Sequence, residues 1–188
     1  MKGMLFMKKN MSCGIICGNT LETNFGFNEA DIGCIQLKMF LNSQFNGLIK
    51  NGVERFYTNC NIGLDLFCAE IAQNACNNQA DLICIQPFEN QAMKWPDNYR
   101  ERFYLIHEKS AKSILLNKDY DIRYVYLSEK YIIEHSDIIL IIKSDSDKFC
   151  LAAKYALTLG KEIYMIDSDS LTLTVIKSQL INQESKYC

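Results

Sequence analysis

Short apolar runs alternate with longer amphipathic stretches along most of the chain. Runs of the kind that a parallel sheet buries on both faces occur at 13–17, 53–60, 81–86, 137–143 and 162–166. The stretches between them place apolar residues at helical spacing, as in 28–51, 64–78, 99–117 and 151–159. This alternation predicts an α/β protein whose mostly parallel sheet of about six strands lies between two layers of helices.

Three further elements and the domain limits follow from the same pattern. We predict a more exposed strand at 122–127, a short helix at 129–135, and a last helix that runs from Ser168 or Ser170 to near Leu180. Residues 12–182 then form a single domain, preceded by a flexible N-terminal extension (1–11) and followed by a tail (183–188). Translation could start at Met1 or at Met11.

The charge balance is close to neutral. The 188 residues include 22 acidic and 20 basic side chains, which gives a formal net charge of −2. This balance argues against nucleic acid as a partner, because nucleic-acid modules usually present a basic face. No stretch approaches the roughly 20 apolar residues that span a bilayer, so we expect no membrane association and a cytoplasmic location.

Nine cysteines are scattered through the chain without a Cys-x-x-Cys pair. Most of them lie in apolar runs, as Cys84 does, which predicts reduced and buried thiols. His107 and His135 lie far along the sequence from any close cysteine pair. We therefore predict no metal site, and the sequence indicates no particular cofactor.

The stretch 56–70 reads as a buried strand, a polar turn and the start of a helix. Its turn contains Asn59, Asn61 and Gly63, and Asp65 and Glu70 follow within the first turns of the helix. Helix starts expose N–H groups and attract anions, and a glycine lets a ligand approach the backbone. We predict a ligand site here, although asparagines also form ordinary turns, and Glu70 could simply pair with a neighbouring cation.

Two other places are candidates for the same site. Gly18 and Asn19 end the first strand, and Ser144 and Asp145 follow the strand at 137–143. If the sheet reverses direction between these strands, the four residues border one crevice. Trp95 could form an aromatic wall for a base together with Phe88 and Tyr99, or these rings could pack a loop onto the core.

Three segments together resemble the SLOG superfamily, and most closely its YpsA-like family. The first is Gly18-Asn19-Thr20 after a strand, and the second is Asn59-x-Asn61-x-Gly63-x-Asp65-x-x-x-Ala69-Glu70. The third comprises Pro87-Phe88, Gln91, Trp95, Tyr99 and, before the most apolar strand, Ser136-Asp137. The resemblance covers roughly residues 12–180 and implies a Rossmann-like three-layer αβα sandwich with a strand order near 4-3-2-1-5-6.

The resemblance also implies a nucleotide-like small molecule as the partner, bound by a sensor or regulatory domain across the carboxyl ends of the strands. Phosphoribohydrolase relatives carry Pro-Gly-Gly-x-Gly-Thr and then a catalytic Glu, where this chain has Ser144-Asp145-Ser146-Asp147-Lys148-Phe149-Cys150. Because the glycines and the Thr are missing, the hydrolase chemistry is not carried over. Hydrolysis of a nucleotide N-glycosidic bond, with Glu70 or Asp65 assisting, stays as the alternative, and no catalytic residue is assigned. A protein-interaction module in cell division or stress control is another. A homodimer through the helices is compatible with the sequence.

Overall fold

The computed structural model describes residues 10–145 and 150–177. The strands are β1 (Met11–Cys17), β2 (Val53–Thr58), β3 (Asp81–Gln86), β4 (Lys112–Leu115), β5 (Ile138–Lys143), β6 (Glu162–Asp167) and β7 (Leu173–Ile176). The helices are α1 (Ile32–Lys50), α2 (Leu64–Cys76), α3 (Asp97–Lys109), α4 (Arg123–Glu134) and α5 (Leu151–Thr158), with a 3₁₀ turn at Thr20–Glu22.

A single seven-stranded sheet runs through the middle of the domain in the order β4-β3-β2-β1-β5-β6-β7. The first six strands are parallel, and β7 is antiparallel to β6. The predicted Rossmann-like α/β sandwich is confirmed, and so is the implied order of its six parallel strands. The strand order reverses beside β1, which pairs with β2 on one side and with β5 on the other.

Apolar side chains fill both faces of the sheet. On one face α1, α2 and α3 pack through large buried rings such as Phe45, Phe67 and Phe103. On the other face α4 and α5 contribute Ile132 and Ala153, among others. Strand β5 is buried from Ile138 to Ile142 because helices cover it on both sides.

The helices are amphipathic, and the longest of them, α1, has 19 residues. It buries one side against the sheet and leaves Met39 on its other side 70% exposed. Among the residues that the structure describes, no helix is both long enough and apolar enough to cross a membrane. The eight described cysteines carry no disulfide, in agreement with the predicted thiols.

Gly14 in β1 allows α4 to lie directly against the sheet. A Cβ atom at this position would come within 2.7 Å of Ile132 Cγ2 and 2.8 Å of Ser136 Oγ. Any larger residue would push α4 outward, because both contacts are shorter than van der Waals packing allows. The close approach brings α4 beside the carboxyl end of β1, where it borders the candidate site described below.

Two predicted elements between β3 and β5 are wrong. The predicted helix at 99–117 ends at Lys109, and its last part is strand β4, an edge strand whose four residues are mostly exposed. The predicted strand at 122–127 is instead the first half of α4. An exposed edge strand has little hydrophobic alternation to signal it, and pairing with β3 decides its structure.

The predicted last helix is also wrong over its described part, because 173–176 forms β7. This segment, Leu-Thr-Val-Ile, is rich in β-branched residues, a preference that favours strands. Helix α1 begins later than the predicted cap at Asn28: Asp31 caps it, accepting a hydrogen bond from Gly33 N at 2.7 Å. Residues 1–9 and 178–188, which hold most of the expected extension and all of the tail, lie outside the described residues.

Candidate functional site

A cleft of about 290 Å³ opens between the carboxyl ends of β1 and β5, where the strand order reverses. We call it the switch-point cleft. It is lined by Ile16, Cys17, Gly18, Glu22, Glu129, Ile141, Lys143, Cys150, Leu151 and Ala152. Open α/β sheets bind ligands at this position, because the connections from the two strands leave in opposite directions and part above the sheet.

Two carboxyl groups and one cation define the electrostatics of the cleft. Glu22 comes from the 3₁₀ turn after β1, and Glu129 comes from α4. Burial raises the pKa of Glu129 above its usual value. Lys143 ends β5, and its Nζ donates a hydrogen bond to the carbonyl oxygen of Asp145 at 2.5 Å. The cleft therefore offers acceptors for hydroxyl and N–H donors beside one positive charge.

Of the four residues predicted at the ends of β1 and β5, one lines this cleft, and the other three follow its lining residues Gly18 and Lys143 along the chain. Gly18 lines it, and Gly18 N donates to Ile142 O at 2.8 Å across the two strands. Asn19 follows and accepts a hydrogen bond from Leu21 N. On the other side Ser144 Oγ donates to Asp169 Oδ2 at 2.7 Å, and exposed Asp145 has a left-handed backbone.

The predicted anion-binding turn before α2 is filled by the protein's own side chain. Gly63 adopts φ +96°, and a Cβ atom there would lie 2.0 Å from Thr20 Oγ1. This Thr20 hydroxyl accepts a hydrogen bond from Leu64 N at 2.9 Å. Gly63 is thus needed for the close approach of Thr20, which takes one of the free N–H groups at the start of α2.

Asn59 and Asn61 shape the turn and tie it to the segment after β3. Asn59 Oδ1 accepts a hydrogen bond from Asn61 N at 3.2 Å. Gln91 Nε2 donates both to Asn59 O at 3.0 Å and to Asn61 Oδ1 at 2.8 Å. These bonds give both asparagines a structural role in the turn, since each holds a neighbouring backbone or side-chain group.

Asp65 is 8% exposed, and its Oδ1 has no hydrogen-bond partner. Burial raises the pKa of this carboxyl group to about 8, although the side chain and backbone of Cys17 act to lower it. Charge repulsion from Glu129 raises the pKa further, and Cys17, which interacts with Asp65, lines the cleft. The group is therefore held largely protonated near neutral pH.

Glu70 lies in an ion-pair cluster away from the cleft. Its two carboxylate oxygens each accept a hydrogen bond from Arg102, at 2.6 Å, and Arg102 also binds Glu29. The hydrogen bonds from Glu70 and Glu29 raise the pKa of Arg102 above its usual value. Glu70 thus connects α2 to α3. Pairing with a neighbouring cation was one of the two roles that the sequence allowed for this residue, and ligand binding was the other.

The three aromatic residues predicted as a wall make separate contacts. Trp95 is half-buried and stands edge-on to Phe103, with ring centroids 5.3 Å apart. Phe88 contacts Tyr120, and Tyr99 contacts Phe27. Trp95 therefore packs a loop onto the core, which is the second of the two arrangements that the sequence allowed.

Buried polar atoms without a partner concentrate at the carboxyl edge of the sheet. Four such atoms occur among the described residues, and three of them are Asp65 Oδ1, Gln91 Oε1 and Ser168 Oγ. They follow β2, β3 and β6, respectively. Because buried polar groups are nearly always hydrogen-bonded, this edge has unused capacity to bind a ligand or ordered water.

Sequence reasoning missed three residues at this edge. Thr20 carried no sequence signal for this role, because its hydroxyl reaches the start of α2, far along the chain, only in the folded protein. Glu129 was missed because its helix was predicted with the wrong limits. Glu22 carried no local signal, since an acidic residue in a polar loop is common.

Comparison with known families gives a match that covers most of the chain. The profile described as the YspA SLOG family, YpsA, matches residues 18–177. The chain belongs to this SLOG family. The resemblance drawn from the sequence motifs is thereby confirmed. A comparison with curated protein sequences gave no match.

The SLOG protein is also similar in structure to DNA processing protein A from Helicobacter pylori, whose structure is described for its single-stranded DNA binding mode. The two share 16% sequence identity with a TM-score of 0.52, and the match covers 94% of this chain and 73% of that chain. At this identity the likeness extends to the fold.

This comparison corrects the expectation that argued against nucleic acid as a partner. That expectation rested on a formal net charge of −2, and it is wrong as an exclusion because a protein with this fold binds single-stranded DNA. The net charge is a sum over the whole protein surface. A single DNA strand contacts only a local groove and the exposed aromatic rings within it, so the net charge does not decide whether DNA binds.

Proposed function

We propose that this SLOG protein binds a nucleotide-derived ligand in the switch-point cleft. The observation that supports this most directly is the position of the cleft between the carboxyl ends of β1 and β5, where the strand order reverses. Its volume of about 290 Å³ lies near the lower end of known ligand pockets, a size that suits one nucleoside-sized group.

The cleft chemistry indicates which part of the ligand lies where. Glu129 and Glu22 are acceptors suited to ribose hydroxyls and to the N–H groups of a base. Two carboxyl groups would repel phosphate, so we place the phosphates at the Lys143 side of the cleft, near its rim at Asn19 and Ser144. Asp65 interacts with Cys17, which lines the cleft, and Asn59, Asn61 and Gly63 form the turn that precedes α2.

Thermal unfolding with candidate ligands tests this proposal. Nucleosides, nucleotides, nucleotide sugars and dinucleotides are added to the purified full chain and to the Glu129→Gln variant. A ligand at about a hundred times its Kd should raise Tm by roughly 5–10 °C in the wild type. Glu129→Gln should lose most of that shift, since an amide replaces the carboxylate acceptor.

Glu134→Gln is the matched control, because Glu134 lies on the same helix but bonds Tyr155 at the surface. Its ligand-induced shift should equal that of the wild type. The proposal is rejected if no nucleotide-derived compound raises Tm, or if Glu129→Gln keeps the full shift. Release of free base from nucleoside monophosphates in the same samples would show that the protein hydrolyses its ligand and does not only bind it.

Single-stranded DNA is the second candidate, favoured by one exposed aromatic ring that packs on a buried one. Tyr120 is 70% exposed and stands edge-on to Phe88, with centroids 4.9 Å apart, beyond the carboxyl ends of β3 and β4. An exposed ring at the ligand-binding edge suits stacking of a base, and DNA processing protein A adds a precedent within this fold.

Fluorescence anisotropy with a labelled oligo-dT strand, measured at several salt concentrations, tests this candidate. We expect binding that weakens with salt and that falls roughly tenfold in Tyr120→Ala, the loss of about one stacked base. Tyr104→Ala removes a ring of similar exposure from α3 and serves as the control. Equal binding by both variants, or no binding at low salt, rejects it.

A further inference from the structure

Two cysteines and one histidine converge beneath the turn that follows β2. Cys60 comes from that turn, Cys84 from the middle of β3 and His107 from α3. Their two sulfur atoms and a ring nitrogen of His107 all lie within 4.8 Å of one another. The sulfur atoms are 3.5 Å apart, and both cysteines are completely buried. Three metal-binding donor atoms thus meet at one buried point.

The imidazole of His107 has one nitrogen beside a hydroxyl group and the other without a hydrogen-bond partner. Its Nδ1 lies 2.7 Å from Ser113 Oγ, while Nε2 is buried and has no hydrogen-bond partner. The ring is also packed against Phe103, with centroids 4.1 Å apart. Histidines that bind metals usually have one nitrogen fixed by a neighbouring polar group, which leaves the lone pair of the other nitrogen for the ion.

The backbone at Cys60 adds a second sign of function. Cys60 adopts φ +52°, in the left-handed region that glycine and asparagine adopt most readily. The strained position is nevertheless occupied by a cysteine whose side chain points towards Cys84. Such strain at a residue with reactive chemistry indicates that the side chain itself is required there.

We infer that Cys60, Cys84 and His107 bind one thiophilic metal ion. Thiolate and imidazole donors select zinc or monovalent copper over hard cations such as Mg²⁺. Two thiolates and a neutral imidazole around Zn²⁺ form a complex without net charge, which favours zinc at a buried point. Binding releases the two thiol protons to solvent.

The sequence predicted no metal site because these ligands are widely separated along the chain. Cys60, Cys84 and His107 come from three different elements, and only the pairing of β2 with β3 and the packing of α3 bring them together. A bound ion would fix the turn at 59–63 to β3 and α3. Its role is then structural support for the turn that precedes α2.

Metal titration of the reduced, metal-free full chain tests this inference. Co²⁺ serves as the spectroscopic probe, because thiolate coordination gives it a charge-transfer band, and Zn²⁺ is then added in competition. We expect the wild type to bind one ion per chain. Cys84→Ser and His107→Gln should each weaken binding by about tenfold or more, since each removes a direct ligand.

Cys17→Ser is the matched control. Cys17 and Cys68 form another close thiol pair, with sulfur atoms 3.7 Å apart, and the metal-ligand cluster found among the described residues does not include them. This variant removes one thiol from a similar pair and should keep wild-type affinity. Circular dichroism of each metal-free variant shows whether it is folded.

Ser113→Ala, which keeps all three ligands, should also weaken metal binding because it frees the imidazole of His107 to rotate.

Three results would overturn the inference. The first is equal affinity in the wild type, Cys84→Ser and His107→Gln. The second is an equal loss in Cys17→Ser, which would indicate nonspecific thiol binding. The third is a Cys60–Cys84 disulfide in protein prepared without reductant, together with no metal binding after reduction. Tight copper binding with weak zinc binding, measured with a copper(I) chelator, would support the site and assign the ion.

Discussion

The carboxyl group of Asp65 lies inside the protein, between the first turn of α2 and the end of β1. It is 8% exposed, and one of its oxygens has no hydrogen-bond partner. Burial raises its pKa to about 8, and charge repulsion from Glu129 adds to the shift. A protonated carboxyl group can both donate and accept hydrogen bonds, so this residue links the proposed ligand site to the pH of the solution.

We predict that Asp65 makes the protein less stable as the pH rises from about 4 to about 8. The pKa of an unfolded Asp is about 4, so between these values the folded state holds a proton that the unfolded state has lost. The free energy of unfolding should therefore fall by on the order of 1 kcal/mol per pH unit. Urea unfolding at several pH values measures this slope.

Asp65→Asn should flatten the dependence of the free energy of unfolding on pH. Relative to the wild type, the variant should therefore be more stable near pH 8 than near pH 4. A residual slope of the same sign is expected from Glu129, whose pKa burial also raises. Asp97→Asn, at a side chain that is 91% exposed, should leave the slope unchanged. An unaltered pH dependence in Asp65→Asn would contradict the raised pKa of the buried carboxyl group.

At the scale of the elements, one arginine joins three parts of the helical layer. Arg102 in α3 binds Glu70 in α2 and Glu29 in the segment before α1, and its guanidinium lies over the rings of Phe67 and Tyr99. Its side chain is 22% exposed, so solvent screens these interactions only in part. The cluster orients α1, α2 and α3 on one face of the sheet.

Arg102→Ala should lower the free energy of unfolding by about 1–3 kcal/mol, because it leaves two half-buried carboxylates without their shared cation. Arg123→Ala is the control, since Arg123 is 79% exposed and pairs with Asp121 at the surface. Denaturant unfolding should not distinguish that control from the wild type. Equal stability of Arg102→Ala would mean that the cluster contributes orientation without stability.

At the scale of the whole molecule, burial falls from the centre of the sheet to its edges. β1 and β5 are almost fully buried, whereas most residues of β4 and β7 are exposed. The switch-point cleft lies over the two central strands, so its floor is the most protected part of the protein. Above the floor, the last two residues of the 3₁₀ turn, Leu21 and Glu22, are exposed.

We predict that amide hydrogen exchange follows this gradient. The amides of β1 and β5 should exchange slowest, by global unfolding, and those of β4 and β7 should exchange fastest among the strands, by local opening. Exchange monitored by mass spectrometry on the full chain measures both groups at once. Protection of β7 as strong as that of β5 would show that the antiparallel edge is a stable part of the core.

The strands buried on both faces were predictable because their signal is local. β3 has the limits expected from its apolar run, and β2 followed by α2 was expected from the strand, polar turn and helix at 56–70. β4 and β7 were not predictable in this way, because edge strands expose their side chains and depend on a neighbour for hydrogen bonds. The site shows the same division, since Gly18 was expected at the cleft but Glu129 was not.

The sequence by itself determined the α/β class, the family and the two strand ends that border the cleft, because these depend on hydrophobic period and on motifs within short segments. Only the tertiary structure decided that Thr20 fills the turn at Gly63, that Glu129 faces the cleft, and that Cys60, Cys84 and His107 meet. Each of these contacts joins residues more than 20 positions apart, and it forms only when the strand order of the sheet places them side by side.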